Sequence, residues 1–400
     1  MTDNICVLAY SGGLDTSIAI KWIKDNYGYD VIALAVDVGQ PIDHEAVISK
    51  GKASGAIDAM VVDARDEFAR EYALPALKAN ALYMGKYPLV SALSRPLIAK
   101  HLVRVARERG ASAIAHGCTG KGNDQVRFEV STTALAPDLR SIAPVRDFPM
   151  TREAAIAYAE QHGIPIPVTR SSPYSIDENL WGRTIECGAI EDPWAAPPAD
   201  AWVVTSNPAG SPDEPELLTI EFESGTPVAI DGERLPLPDL ILATGERAAR
   251  HGIGRIDMIE DRLVGIKSRE LYEVPAALTL IAAHRDLEDL CLERSLAAFK
   301  RSHVEPLYAE LAYNGLWFGP LRAGLAAFVE ESQAHVTGEV RIRLHKGTAV
   351  VDGRRGPRAL YTKHLATYDE GDTFDHTAAA GFVHLWGLPL KVWSDVQGDR

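Results

Sequence analysis

Residues 9–17 read AYSGGLDTS, an apolar run that breaks into two glycines ringed by hydroxyls. Upstream, Ile5–Ala9 is short, apolar and partly β-branched, the composition of a buried strand. Downstream, Leu14–Asn26 carries Ile18, Trp22 and Ile23 at helical spacing. Strand, glycine turn and helix together aim unpaired backbone N–H groups at an anion. Gly12 and Gly13 permit the sharp turn and the approach of a ligand, and Ser11, Thr16 and Ser17 add hydroxyls. An ordinary βα turn of a parallel sheet has the same local pattern, so the rest of the chain has to decide.

The pattern around this stretch is an alternation. Strand-like runs at residues 30–36, 59–64, 112–116 and 141–145 are separated by helical runs at 45–53, 66–80, 95–109 and 151–162. Thr151 suits a helix N-cap, with Gly163 past the end. Such alternation predicts an α/β fold, a doubly wound parallel sheet with helices on both faces, whose ligands bind beyond the carboxyl ends of the strands. After residue 168 the character changes. Residues 217–232 and 338–353 alternate at period two around Ser-Gly and Lys-Gly turns, the signature of hairpins. Residues 240–252 and 279–312 read as helices between them, so the second half is α+β. Six prolines in residues 192–216 have the composition of a linker.

The totals exclude several classes. Forty-one basic against 55 acidic residues leave a net charge of −14, with no general nucleic-acid footprint. No apolar run approaches the roughly 18 residues that span a bilayer, and the first residues lack a secretory pattern. Cys6, Cys118, Cys187 and Cys291 are scattered and form no CxxC pair, which argues for a reducing compartment and against a zinc site. A cytoplasmic protein is expected. The last stretch, AAGFVHLWGLPLKVWS, is apolar with two tryptophans and is expected to dock on something, a second subunit being one option.

A second glycine loop, HGCTGKGNDQVRFE (116–129), follows the strand-like run 112–116 and is expected at the same sheet edge. Asn123 and Asp124 lie four and three residues before Arg127, so all three share a helical face near its start. An amide, a carboxylate and a guanidinium thus stand beside a phosphate-sized cradle. The first loop is neither GxxxxGKS/T, because no lysine follows Gly13, nor GxGxxG.

SGGLDT resembles the SGGxD(S/T) pyrophosphate loop of the N-type ATP pyrophosphatases, of the adenine nucleotide alpha hydrolase-like fold. With HGCTGKGNDQVRFE, HGIPIPVT, SIDENLWGRTIECG and HGIGRIDMIEDRLVGIKSRELYEVPA in the same order, the chain resembles the argininosuccinate synthase family from residue 5 to about 385. That resemblance implies condensation of L-citrulline and L-aspartate, with ATP split to AMP and pyrophosphate through a citrullyl-adenylate and with Mg2+ on the phosphates. It implies a nucleotide-binding domain at 1–168, a synthetase and multimerisation domain at 169–375, and an oligomerisation tail at 376–400 of a homotetramer. It moves the proline-rich stretch from a linker into the second domain. Another N-type pyrophosphatase, such as a tRNA thiolase or NAD synthetase, is the rival enzyme, and a nucleotide-binding protein without activity is the non-enzymatic one.

Carried over position by position, the resemblance assigns ATP to Ala9, Tyr10, Ser11, Gly12, Gly13, Leu14, Asp15, Thr16, Ser17, Val36 and Gly117. It assigns aspartate to Thr119, Asn123 and Asp124, and citrulline to Tyr87, Ser91, Asn123, Arg127, Ser175, Thr184, Glu260 and Tyr272. No protein side chain is assigned to a metal. Ser91 stands where the family places a serine one position on, Val36 where it has alanine, and Thr184 where it has serine. Plainer readings stand beside these: Tyr87 as a partly buried aromatic before a proline, Ser175 as a helix cap, and Glu260 and Tyr272 as strand residues facing solvent. Lys121 reads as a solvated charge, Cys118 as a small filler, and His116 as a loop-ordering hydrogen bonder or an aid to the leaving phosphate.

Overall fold

The computed structural model describes residues 4–148, 152–165 and 174–398. Five strands, β1 (Ile5–Ala9), β2 (Asp30–Asp37), β3 (Asp58–Asp63), β4 (Ala113–Ala115) and β5 (Arg140–Ile142), form a parallel sheet in the order β3-β2-β1-β4-β5. Alternate residues point to opposite faces. Cys6, Leu8, Val31, Ala33 and Ala115 pack with Ile20 and Ile23 of the helix Leu14–Tyr27, whereas Val7, Ile32, Leu34 and Ile114 join the core on the side of the helix Val90–Arg109. Both faces are covered, so the strands read as unbroken apolar runs. The strand order reverses between β1 and β4, which places the loops after them at one topological switch point.

The second half supplies β6 (Ser175–Asn179), β7 (Gly182–Glu186), β8 (Glu216–Glu223), β9 (Thr226–Ile230) and β10 (Glu233–Arg234). It continues with β11 (Arg255–Asp261), β12 (Lys267–Glu273), β13 (Gly338–His345) and β14 (Thr348–Arg355). They form two antiparallel sheets, β10-β9-β8-β13-β14 and β11-β12-β7-β6. Both expected hairpins are present, with left-handed Ser224–Gly225 and Lys346–Gly347 at their tips. One hydrophobic core runs from Val7 and Leu34 through Tyr87 to Leu218, Tyr272 and Ile342, and Met1–Arg358 forms one compact unit.

Several expectations need correction. The helix expected from residue 95, where Pro96 suits a first turn, begins at Val90 with Pro96 inside it, so Ser91 and Arg95 share a face. The helical run 66–80 contains a π-turn at Ala69–Ala73 and ends at Lys78. The run 279–312 is interrupted: Pro275–Cys291 ends where Leu292 turns extended, and the Glu293 side chain caps the next helix, Arg294–Phe299. The proline-rich stretch is irregular, yet it is pinned. Fully buried Glu273 accepts hydrogen bonds from the N–H groups of Val203 (3.1 Å), Val204 (3.0 Å) and Thr205 (2.8 Å). The expected cap at Thr151 and the end of GIPIPVT lie outside the described residues.

Ala359–Arg400 forms a second unit, in which the helix His376–Gln397 starts on an Asp375 cap and contains Pro389. Its Phe382, Leu385, Trp386, Leu390 and Trp393 are exposed. No helix among the described residues is long and apolar enough to cross a membrane.

The turn after the helix Glu305–Tyr313 touches the start of the helix Asp124–Leu135. Gly315 has φ +75°, and a Cβ there would stand 3.0 Å from Arg127 Cα. Gly315→Ala is expected to destabilise the protein by about 1–3 kcal/mol, the cost of a left-handed residue with a side chain. Chemical denaturation would show this as a lowered midpoint at unchanged slope.

Candidate functional site

The first loop turns at Gly12 (φ +74°) into a helix whose N-cap, Gly13, has no side chain to cap it. The hydroxyls are ordered around it. Ser11 Oγ lies 3.1 Å from Thr16 Oγ1, Ser17 Oγ donates to Gly13 O at 2.8 Å, and Tyr10 OH lies 3.1 Å from Ser17 Oγ. The second loop comes within contact distance, because a Cβ on Gly117 would stand 3.0 Å from Thr16 Cγ2. Between them opens a cavity of 670 Å³ lined by Ala9–Gly12, Thr16, Val36, Gly117, Cys118 and Arg95. Lys50, from the neighbouring helix His44–Ala53, lines it too and donates to Gly12 O, while partial burial lowers its pKa. Sequence spacing gave no sign of that lysine. Leu14 instead packs beside Ala155 and Ile164, and Asp15 is exposed in the first helical turn.

The second part of the site is one face of the four-stranded sheet. Asp177, Thr184 and Tyr272 stand in register across β6, β7 and β12, and period two adds Ser175, Glu186, Glu260 and Glu270 to that face. The opposite face holds Ile185 and Leu271 in a core with Ile190 and Ala201. The polar face meets the helices of the first half. Ser91 Oγ donates to Asp177 (2.5 Å) and lies 3.3 Å from Thr184 Oγ1, and Tyr87 stacks on Tyr272 at 4.3 Å.

A chain of alternating charge crosses this contact. Arg95 donates to Asp177 (2.7 Å) and Asp124 (2.8 Å), and Arg127 donates to the other oxygen of Asp124 (2.8 Å). Burial raises the Asp124 pKa, but the Arg95 and Arg127 charges outweigh it and hold the carboxyl well below the usual range. Asp124 still keeps 26% side-chain exposure, so a further donor can reach it. Glu260 accepts from the phenols of Tyr272 and Tyr313, the latter at 2.5 Å. Burial and the adjacent Glu260 charge push both phenol pKa values far up, so they are donors at any physiological pH.

Nearly all the expected residues therefore converge, in two groups. Of the ATP set, Ala9–Gly12, Thr16, Val36 and Gly117 line the cavity, whereas Gly13, Leu14, exposed Asp15 and buried Ser17 do not. Tyr87, Ser91, Asp124, Arg127, Thr184, Glu260 and Tyr272 interlock through the contacts above, and Asn123 joins them by donating to the Tyr313 phenol at 2.6 Å. Ser175 is a strand residue, exposed, one pleat from Asp177, and so is no helix cap. Glu260 and Tyr272 are on strands but buried, and Tyr87 is wholly buried. Thr119 is exposed on its loop, as is Lys121. His116 orders that loop: its Nδ1 accepts from Cys118 N at 3.3 Å, leaving Nε2–H for Glu129 at 3.2 Å. Burial raises the Cys118 thiol pKa, which suits a filler. Sequence reading missed Arg95, Asp177 and Tyr313. Asp177 sits inside a motif already quoted and Arg95 at the start of an expected helix, whereas Tyr313 carries no local signal.

Two family models match the chain: the arginosuccinate synthase N-terminal HUP domain over residues 5–165 and the arginosuccinate synthase C-terminal domain over 174–393. The chain is similar to proteins named argininosuccinate synthase. That of Oceanobacillus iheyensis is 57% identical over 400 residues, covering all of this chain and 96% of the relative. Those of Bacillus licheniformis and Geobacillus kaustophilus are each 59% identical, over 98% of this chain and 96% of theirs.

Beside the site, Arg262 bridges Glu186 (2.7 Å) and Glu270 (2.5 Å), and Glu270 Oε2 is buried with no partner. Burial, then the Glu186 charge, push the Glu270 pKa up from 4.5 to about 8. The folded state keeps a proton that the unfolded state gives up, so stability falls as pH rises through that window. Glu270→Gln mimics the protonated acid and should flatten the loss of thermal midpoint between about pH 6 and pH 8. An unchanged slope would show that Glu270 does not titrate there.

Proposed function

The chain belongs to the argininosuccinate synthase family, and on that premise we propose how its side chains divide the work. The protein is an ATP-dependent ligase that joins citrulline to aspartate in arginine biosynthesis. The observation that carries the division is the cavity at the switch point lying beside the polar sheet face: a nucleotide cradle next to a row of fixed charges.

In this reading Ala9–Ser17 and Gly117 hold ATP, with the Ser11–Asp15 backbone around the pyrophosphate and Val36 beside the adenine. Lys50 swings from Gly12 O to the phosphates, supplying the cation that the loop sequence lacks. Among the described residues no three His, Cys, Asp or Glu side chains gather to cage an ion. Magnesium, which binds phosphates and keeps its waters, would be held on the polyphosphate within reach of the Ser11 and Thr16 hydroxyls and would neutralise its charge. Tyr87, Ser91, Asn123, Arg127, Ser175, Thr184, Glu260 and Tyr272 hold citrulline, with Arg127 toward its carboxylate and Glu260 toward its ammonium. Thr119, Asn123 and Asp124 hold aspartate, Asp124 meeting its ammonium.

The chemistry is positioning and charge stabilisation. The citrulline ureido oxygen attacks the α-phosphorus and pyrophosphate leaves, which turns a poor leaving group into AMP. The aspartate amine then attacks the ureido carbon, loses a proton, and AMP departs. The enzyme works in the cytoplasm as a homotetramer. The exposed apolar helix His376–Gln397 has large side chains around its circumference, and a second copy of the chain is the cover proposed for it.

Two measurements test this. Exchange of labelled pyrophosphate into ATP with citrulline reports the first step alone. Arg127→Lys, which keeps the charge but loses the planar fork, should cut that exchange at least about tenfold. Asp124→Asn should retain part of it while losing product formation, and equal loss in both would overturn the division. Separately, a stop after Phe374 should lower the mass seen by light scattering. A truncated protein that stayed fully tetrameric would refute the role of the helix.

A further inference from the structure

Tyr313 stands outside every set assigned above, yet it touches four of their members from both halves of the chain. Its phenol donates to Glu260 Oε1 at 2.5 Å and accepts from Asn123 Nδ2 at 2.6 Å. Its carbonyl accepts from Arg127 Nε at 3.0 Å, and the Arg127 guanidinium lies 4.8 Å from its ring centre. The ring is clamped: Tyr83 stacks on it at 3.5 Å and 5°, and Tyr87 meets it edge-on at 6.3 Å.

We infer that Tyr313 is a positioning residue for the ligation, its hydroxyl tying the Glu260 carboxylate to the Asn123 amide and so fixing the citrulline and aspartate groups relative to each other. A phenol has one proton and two lone pairs, so it can give to a carboxylate and receive from an amide at once. The amide needs this partner. Asn123 Oδ1 accepts from Leu263 N at 2.9 Å, so with Nδ2 on Tyr313 both ends of the side chain are held by the second half. Remove the hydroxyl and the buried Nδ2 loses its acceptor, while Glu260 keeps only the Tyr272 phenol. The main-chain contact to Arg127 and the Gly315 turn would persist, because neither uses the side-chain oxygen. The inference rests on the proposed assignment of Glu260 and Asn123.

Tyr313→Phe removes the oxygen and keeps the ring. The KM values for citrulline and aspartate should both rise about tenfold, with the KM for ATP within about twofold of the unaltered enzyme, since one misplaced contact of about 1.4 kcal/mol is tenfold. The thermal midpoint should fall by no more than a few degrees, with unfolding still cooperative, because the ring and main-chain contacts persist. Tyr83→Phe is the control, because it shares the stack but touches neither Glu260 nor Asn123; it should leave the amino-acid KM values unchanged. Unaltered amino-acid KM values in Y313F, a parallel rise for ATP, an equal effect in Y83F, or loss of cooperative folding would each overturn the inference. Glu260→Gln separates this from failure of the site assignment. If E260Q leaves the citrulline KM unchanged, the assignment of Glu260 falls, and the aspartate KM of Y313F alone decides the role of Tyr313 through Asn123.

Discussion

The arrangement depends on one carboxylate between two guanidiniums. Asp124 lies among buried groups, and a charge there is tolerable only when paired and hydrogen-bonded. Arg95 and Arg127 meet that demand from two helices, and Arg95 passes the demand on to Asp177 of the antiparallel sheet. Satisfying a single anion thereby fixes the angle between two helices and docks the second half of the chain on the first. Breaking such a chain by deleting one partner typically costs about 3–5 kcal/mol, which is why conservative replacements serve best as probes. The same pairing leaves one edge of Asp124 open, so the group that holds the halves together can also receive a ligand.

The sheet behind this contact is two-faced in a way that suits polar substrates. Its inner face is a row of carboxylates and hydroxyls set by register, and its outer face is an apolar core. Successive residues of Lys267–Glu273 serve opposite faces, so a slip of one residue would take Tyr272 off the polar face and turn Leu271 onto it. Glu273 guards against such a slip. It is wholly buried, paired with Arg183 at 2.8 Å, and bonded to the backbone of the proline-rich stretch. What looks like a linker in composition is thus a strap fastened to the strand that carries Tyr272.

The nucleotide side follows a different logic. A parallel sheet with a switch point delivers two glycine loops to one edge, close enough that a Cβ on Gly117 would press on Thr16 at 3.0 Å. The loop carries no lysine of its own, and the neighbouring helix brings Lys50 instead. Packing, not local sequence, places that ammonium beside the first loop.

How much of this the residues announce varies by element. The first strand, its helix, the parallel sheet and both hairpins were legible, because apolar periodicity and turn chemistry are local properties of the chain. Motif order pointed to the family, and the proposed site residues were carried over from it. The helix start at Val90 was not legible, because Pro96 is equally at home in a first turn; nor was the break at Leu292, which periodicity alone does not mark. By itself the sequence determined the layers, the two glycine loops and, through its motifs, the candidates Asp124, Arg127 and Glu260. Only the tertiary structure decided that Asp177, Thr184 and Tyr272 share one row, that Lys50 reaches Gly12, and that Tyr313 joins Glu260 to Asn123. The reason is physical: register and helix docking are set by long-range packing and by the need to pair every buried charge, and neither leaves a mark in neighbouring residues.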